Sequence, residues 1–256
     1  MRAISIIPAR LGATRYPNKP MALIHGMPMV GHCYHRTRLA PGFAATYVAT
    51  CDEEIAEYVR SIGGSAVMTA ANHTRATTRT AEAMEHIEAA VGEQADVVVM
   101  VQGDEPLILP ETITETLDHF NDPTVEIVNI MSRLRTYEQF ADRNNVKVVV
   151  NRNNDALYFS REPIPSPWRG IENVPMYMQT GIIAFRRDAL LRFNQMAETM
   201  LEQIESVDMN RVLETGGRIR MVLTESITIG VDTPQELKNA EVLMKSDPTL
   251  YRYLTP

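Results

Sequence analysis

Val97-Val98-Val99-Met100-Val101-Gln102-Gly103-Asp104-Glu105-Pro106 is the stretch on which the fold turns. Its opening Val-Val-Val-Met-Val is the longest uninterrupted apolar run of the chain, and Gly103 and Pro106 close it. A run so short and so rich in valine reads as a strand buried on both faces. Strands of that kind belong to sheets covered by helices on either side. Asp104 and Glu105 then fall at the strand's carboxyl end, where open α/β sheets bind their ligands.

Further strand candidates are residues 4–7, 46–49, 65–68, 125–131 and 146–150, alternating with helical stretches at 29–39, 53–62, 77–91 and 110–120. Within 77–91, Ala81, Met84, Ile87 and Val91 recur every three or four residues, as one helix face requires. This succession predicts an α/β fold, a mainly parallel sheet flanked by helices, in a single domain over residues 1–256. Residues 151–186 break the pattern: Pro163, Pro165, Pro167 and Pro175 surround the single tryptophan, Trp168, between strand candidates at 156–159 and 181–185. That segment reads as an excursion that covers the site or meets another subunit. Helices at 187–196 and 201–215, a hairpin-like pair at 218–223 and 226–231, and a helix at 234–245 complete the expectation.

With 45% hydrophobic and 22% charged residues in 256, the chain is too apolar to be disordered. Its 25 basic against 32 acidic residues give a net charge of −7, which argues against a nucleic-acid binder. No apolar run approaches the roughly 20 residues that span a bilayer, and the N-terminus lacks a signal-peptide layout. Two cysteines, Cys33 and Cys51, make no disulfide framework. A cytoplasmic protein that touches neither membrane nor nucleic acid is expected.

Three strand-end loops hold the candidate chemistry. After the first strand, Pro8-Ala9-Arg10-Leu11-Gly12-Ala13-Thr14-Arg15-Tyr16-Pro17-Asn18-Lys19-Pro20 brings backbone N–H groups and three cations to a place where phosphate oxygens could be held. It is neither a Walker A loop nor a dinucleotide fingerprint, so a dinucleotide oxidoreductase is excluded. Asp104 in the second loop, and Asp232 in Gly230-Val231-Asp232-Thr233-Pro234, are hard oxygen donors for a cation such as Mg²⁺. Either aspartate could instead cap the helix that follows it. Together, phosphate-binding cations and two carboxylates are the parts that nucleotidyl transfer requires.

The same loops, with Val146-Lys147-Val148-Val149 and Ala156-Leu157-Tyr158-Phe159-Ser160-Arg161, occur in one order. In that order they resemble the 3-deoxy-manno-octulosonate (Kdo) cytidylyltransferase family over nearly the whole chain. The resemblance implies a Rossmann-like nucleotidyltransferase fold with a small dimerisation or lid excursion, a homodimer, Mg²⁺ as cofactor, and CTP plus an acidic small-molecule acceptor as partners. It implies Pro8, Ala9, Arg10, Arg15, Lys19, His73, Thr77 and Gln102 as nucleotide-binding residues. Arg10, Lys19, Asp104 and Asp232 form the catalytic set, Asp104 and Asp232 as metal ligands. Arg161, Gln179, Asp208 and Arg75 are the acceptor candidates, Arg161 suiting a carboxylate through its planar fork.

Three segments depart from the family pattern. Thr74-Arg75-Ala76-Thr77-Thr78-Arg79 stands for Gln-Ser-Gly-Thr-Glu/Asp-Arg, Gln179 and Ile183 stand for a His and a Tyr, and Met209 stands for a Gln. Losing hydrogen-bond partners for a polyol predicts an altered acceptor preference. Arg75 raises the alternative of a small phosphonate as acceptor. A nucleotide-binding protein without turnover is the further alternative, against which the retention of Asp104, Asp232 and Lys19 speaks.

Overall fold

The computed structural model describes residues 1–12, 16–226 and 230–254. Arg15, and part of the expected strand at 226–231, lie outside them. β1 (Ala3–Pro8) pairs in parallel with β4 (Ala45–Thr50) on one side and β6 (Val97–Val101) on the other, and β5 (Ser65–Met68) extends the sheet beyond β4. β7 (Ile127–Arg133) pairs in parallel with β11 (Arg220–Thr224) at the far edge. β10 (Tyr177–Arg186) joins the two parallel halves, running antiparallel to both β6 and β7. The strand order is therefore β11-β7-β10-β6-β1-β4-β5.

All five residues of β6 are buried, as its apolar run requires of a strand with neighbours on both sides. Alternation along the strands divides the core into two layers. Ile4, Ile6, Val98, Met100, Ile183 and Phe185 face one layer, closed by α3 (Ala76–Val91), α6 (Arg187–Gln195) and α8 (Met209–Glu214). Ala3, Ile7, Val97, Val99, Val101 and Ala184 face the other, closed by α1 (Met29–Arg38), α2 (Glu53–Ser61) and α4 (Pro110–Asp118). A small third cluster forms under α9 (Pro234–Met244), against the hairpin of β2 (Leu23–Ile24) and β3 (Met27–Pro28).

Several expectations are corrected. The helix expected over 201–215 is two, α7 (Met200–Glu205) and α8, because Ser206 takes a left-handed φ of 51° between them. The stop at Gly216 holds, with φ 81° just past α8. The strand expected at 181–185 runs through the whole of β10 and lies inside the main sheet, so residues 177–186 are no excursion. The segment off the sheet's main path is the antiparallel pair β8 (Lys147–Val150) and β9 (Ala156–Ser160). The side-chain amide of Asn210 holds β9 to α8 by bonding both the N–H (3.2 Å) and the C=O (3.0 Å) of Phe159. β11 adds in parallel to β7, a strand distant in sequence, and its expected hairpin mate at 226–231 lies partly outside the described residues.

Candidate active site

The carboxyl ends of β1 and β6 open into a cleft of about 280 Å³. Its floor is the loop after β1. That loop is fixed at Leu11, whose N–H donates to Asp52 Oδ2 at 2.8 Å, and at Arg10, whose Nη1 donates to the carbonyl of His73 at 3.0 Å. Asn18, in the left-handed region at φ 58°, turns the chain into the short helix Lys19–Met21 and sends the Lys19 side chain inward. There Lys19 Nζ donates to Asp104 Oδ2 at 2.7 Å and to Asp232 Oδ1 at 2.9 Å. The N–H of Val231 donates to the Asp104 carbonyl at 2.9 Å, so the two carboxylate-bearing loops are joined through the backbone as well. Burial alone would depress the Lys19 ammonium. The charges and hydrogen bonds of Asp104 and Asp232 outweigh it and hold Lys19 above its ordinary value.

Two glycines make this convergence possible. A Cβ on Gly103 would lie 3.1 Å from the Pro8 carbonyl, and one on Gly181 would lie 2.7 Å from Gln102 Cβ and 2.8 Å from Glu105 Oε1. Gly181 N–H donates to Glu105 Oε1, while Glu105 Oε2 is buried with no hydrogen-bond partner among the described residues. Burial, with the charge of Asp104, pushes the Glu105 carboxyl up to about 7 against the pull of that N–H. A carboxyl that holds its proton more tightly when folded adds stability at low pH, and the increment is lost as pH rises from the ordinary carboxyl range through about 7. Glu105→Gln should therefore gain about 1–3 kcal/mol on the wild type between about pH 5 and pH 8, measured by urea unfolding without metal.

The wall is the turn before α3. His73 Nδ1 meets Thr78 Oγ1 at 3.0 Å and its Nε2 meets Glu82 Oε2. Burial tends to raise the Glu82 carboxyl, but the bonds from His73 and the Ala70 N–H prevail and lower it. Arg79 is 2% exposed and donates Nη1 to Thr69 Oγ1, while its Nη2 has no hydrogen-bond partner among the described residues. Arg79 also lines the cleft, with that Nη2 buried beneath its surface. Arg75 lines the cleft and is tied to the neighbouring segment: Nη1 donates to Ser206 Oγ at 3.2 Å and Nε lies 3.8 Å from the buried Glu202 Oε1.

Pro8, Ala9, Arg10, Lys19, His73, Arg75, Gln102, Asp104 and Asp232 thus surround one cleft. Arg15 is outside the described residues, and the other expected residues do not line the cleft. Thr77 is buried and donates to Asp208 Oδ2 at 2.5 Å, and burial raises the Asp208 carboxyl despite that bond. Arg161 donates Nε to the Glu205 carbonyl (2.8 Å) and Nη1 to the Arg143 carbonyl (2.9 Å). Gln179 keeps its buried Oε1 without a hydrogen-bond partner among the described residues. Ile183 and Met209 are core residues, 1% and 0% exposed, packed in the layer under α3 and α8.

A sequence profile of the Cytidylyltransferase family matches residues 4–224. The 3-deoxy-manno-octulosonate cytidylyltransferase of Geobacter metallireducens is 43% identical over 248 residues, covering 93% of this chain and 95% of its own. The enzyme of that name from Escherichia coli is 38% identical, covering 96% and 97%. This chain belongs to the 3-deoxy-manno-octulosonate cytidylyltransferase family. A structure of CMP:2-keto-3-deoxy-manno-octonic acid synthetase complexed with CTP superposes on this cytidylyltransferase with a TM-score of 0.87 at 38% identity, covering 96% of this chain and 99% of that one. A glucose-1-phosphate thymidylyltransferase from Bacillus anthracis, at 16% identity and a TM-score of 0.68, shares the nucleotidyltransferase fold.

The sequence-derived set for this cytidylyltransferase omits Arg79 and Gly181. Arg79 stands at the end of the divergent segment 74–79, and its helical spacing from Arg75 was the available signal. Gly181 gives none: its necessity is a distance between side chains of two other strand-end residues. Among the described residues no helix is long and apolar enough to cross a membrane.

Proposed function

We propose that this enzyme transfers CMP from CTP to 3-deoxy-manno-octulosonate or a closely related acid sugar, releasing pyrophosphate, with Mg²⁺ held by Asp104 and Asp232. The observation that carries the reading is the Lys19 ammonium set between those two carboxylates at the mouth of β1 and β6. Two convergent carboxylates already arranged around a positive charge are a donor set that suits a hard divalent cation. The cation would offset charge that builds on the triphosphate during transfer.

The rest follows from this chain's own groups. Backbone N–H groups of the loop after β1, with Arg10 and Lys19, receive the phosphates and orient the α-phosphorus. Arg15 belongs to the same proposal but lies outside the described residues. His73 and Arg79, which line the cleft, are proposed to meet the base. Gln102 stands between nucleotide and acceptor. The acceptor hydroxyl gives up its proton to solvent and its oxygen forms a bond to the α-phosphorus, as the bond to the bridging oxygen breaks and pyrophosphate leaves. Gln179, Arg161 and Asp208, the last linked to Thr77, are the proposed acceptor residues by family resemblance, although none of them lines the cleft. Arg75 is already turned toward Ser206 and Glu202, so the phosphonate alternative draws no support from it. Homodimerisation completes the reading: Leu157 and Trp168, 59% and 90% exposed, are apolar area of a kind that a second copy would cover.

The test is pyrophosphate release with CTP and Mg²⁺ against Kdo, its 8-amino analogue, sialic acid and small phosphonates. Kdo or its amino analogue should turn over at least tenfold faster than the others. Release only with a phosphonate would overturn the acceptor, and none with any acceptor would overturn the reaction.

A further inference from the structure

A polar cluster buried behind the cleft links the three segments on which Lys19, Asp104 and Asp232 stand. His32 and Arg36, both fully buried on α1, are its centre. His32 Nε2 lies 2.8 Å from the Ile24 carbonyl, which can only accept, so Nε2 carries the proton. Nδ1 of the neutral ring then accepts from the Tyr253 hydroxyl at 2.8 Å, and the Tyr253 oxygen accepts in turn from Arg36 Nε at 3.0 Å. Arg36 Nη1 donates to the Ile108 carbonyl at 3.3 Å and Nη2 to Asp247 Oδ2 at 2.5 Å. The Tyr253 ring stacks on His35, with centroids 5.3 Å apart and planes 11° from parallel. Every bond in this chain has one permitted direction. Burial holds His32 down at about 4 and pushes Tyr253 up to about 12, so neither titrates near neutrality.

The attachments of the cluster are what give it meaning. Ile24 belongs to β2, which follows the Lys19 turn and is joined to it where the Ala22 N–H donates to the Lys19 carbonyl at 3.1 Å. Ile108 follows Asp104, and its N–H donates to the Glu105 carbonyl at 3.2 Å. Asp247 and Tyr253 follow α9, whose first turn begins beside Asp232. Ile24, Leu107, Val231 and Met244 pack together in the same place. One phenol hydroxyl thus sits where the supports of the ammonium and of both carboxylates meet.

We propose that Tyr253 is a positioning residue for the transfer reaction: its hydroxyl, bridging Arg36 and His32, sets the mutual placement of Lys19, Asp104 and Asp232. The inference rests on the reaction proposed above, in which those three groups act on one triphosphate. A displacement of about 1 Å at such a site carries a large rate effect.

Tyr253→Phe keeps the ring stack and removes only the bridge. It should lower kcat by about tenfold, raise the Mg²⁺ concentration for half-maximal activity at least threefold, and leave the acceptor KM within twofold. Calorimetry should show CTP binding weakened severalfold more with Mg²⁺ than without it, a split that general loosening of the fold would not produce. Tyr251→Phe, at an exposed residue whose hydroxyl donates to the Lys245 carbonyl, should match the wild type throughout. If Tyr253→Phe does not fold, Asp247→Asn, which weakens the hold on Arg36 from the rim, carries the same measurements. Wild-type kcat and wild-type Mg²⁺ dependence in the folded variant would overturn the proposal. A wild-type enzyme that turns over no acceptor would count against the reaction, and the calorimetric split would still decide for or against the clamp.

Discussion

Asp232→Asn should lower kcat/KM for CTP by about 10³-fold while the protein stays folded. The amide is nearly isosteric with the carboxylate, and the helix start beside it is secured separately: the Asp232 N–H donates to Glu236 Oε2 at 2.8 Å and Thr233 caps the Glu236 N–H at 3.3 Å. What changes is charge. Lys19 loses one of its two anionic partners, and the proposed cation loses one of two anionic ligands. Asp104→Asn should behave alike, since Lys19 reaches it at 2.7 Å. The double variant should cost little more than either single one, because groups that act as a unit are not additive. Steady-state pyrophosphate release over a range of Mg²⁺ checks this. A loss smaller than tenfold in either variant would remove the pair from the chemistry and leave it as a structural ion pair.

Much of this site was legible in the sequence because it sits at strand ends. The apolar run of β6 announced both a buried strand and the loop that follows it, and the cations after β1 fell in the matching place. Periodicity likewise located α3, where Ala81, Met84 and Ile87 are buried in the layer they cover, while Val91, at the helix's last residue, is 49% exposed. The position of β10 was not legible. Alternating strands and helices imply parallel neighbours in sequence order, whereas β10 enters between β6 and β7 from far along the chain, by pairings no local pattern encodes. Nor does a continuous helical pattern over 201–215 report that Ser206 turns left-handed between α7 and α8.

The acceptor side shows the same limit. Ile183 and Met209 stand where the family has polar residues, yet both lie in the core, so their chemistry is packing rather than recognition. Gln179 differs from them only in keeping a buried oxygen unpaired, which is a property of its surroundings and invisible in its identity. Thr77 and Asp208, distant in sequence, find each other because α3 and α8 cover the same sheet face.

The segment that carries Asp208 depends on one ion pair, and breaking it should have the largest effect on stability. Glu202, with a fully buried side chain, accepts from Arg211 Nε and Nη2 at 2.6 Å each, and its Oε2 also receives the Thr199 N–H at 3.3 Å. Arg211 donates Nη1 to the carbonyls of Phe193 and Met196 and lies over the Phe193 ring, 4.4 Å from its centroid. Glu202→Ala removes the anion and leaves a guanidinium with a 4% exposed side chain and, among the described residues, no other carboxylate at ion-pair distance. The expected cost is roughly 3–5 kcal/mol in chemical unfolding. Glu162→Ala, which breaks an exposed pair with Arg143, should cost under about 1 kcal/mol. Adding Arg211→Met to Glu202→Ala should restore most of the loss, because an apolar side chain of similar length needs no partner. If the double variant is no more stable than Glu202→Ala, the stranded charge is not the cause. The role of Glu202 would then lie in capping α7 and in its approach to Arg75, the contact through which the cleft wall meets the segment bearing Asp208.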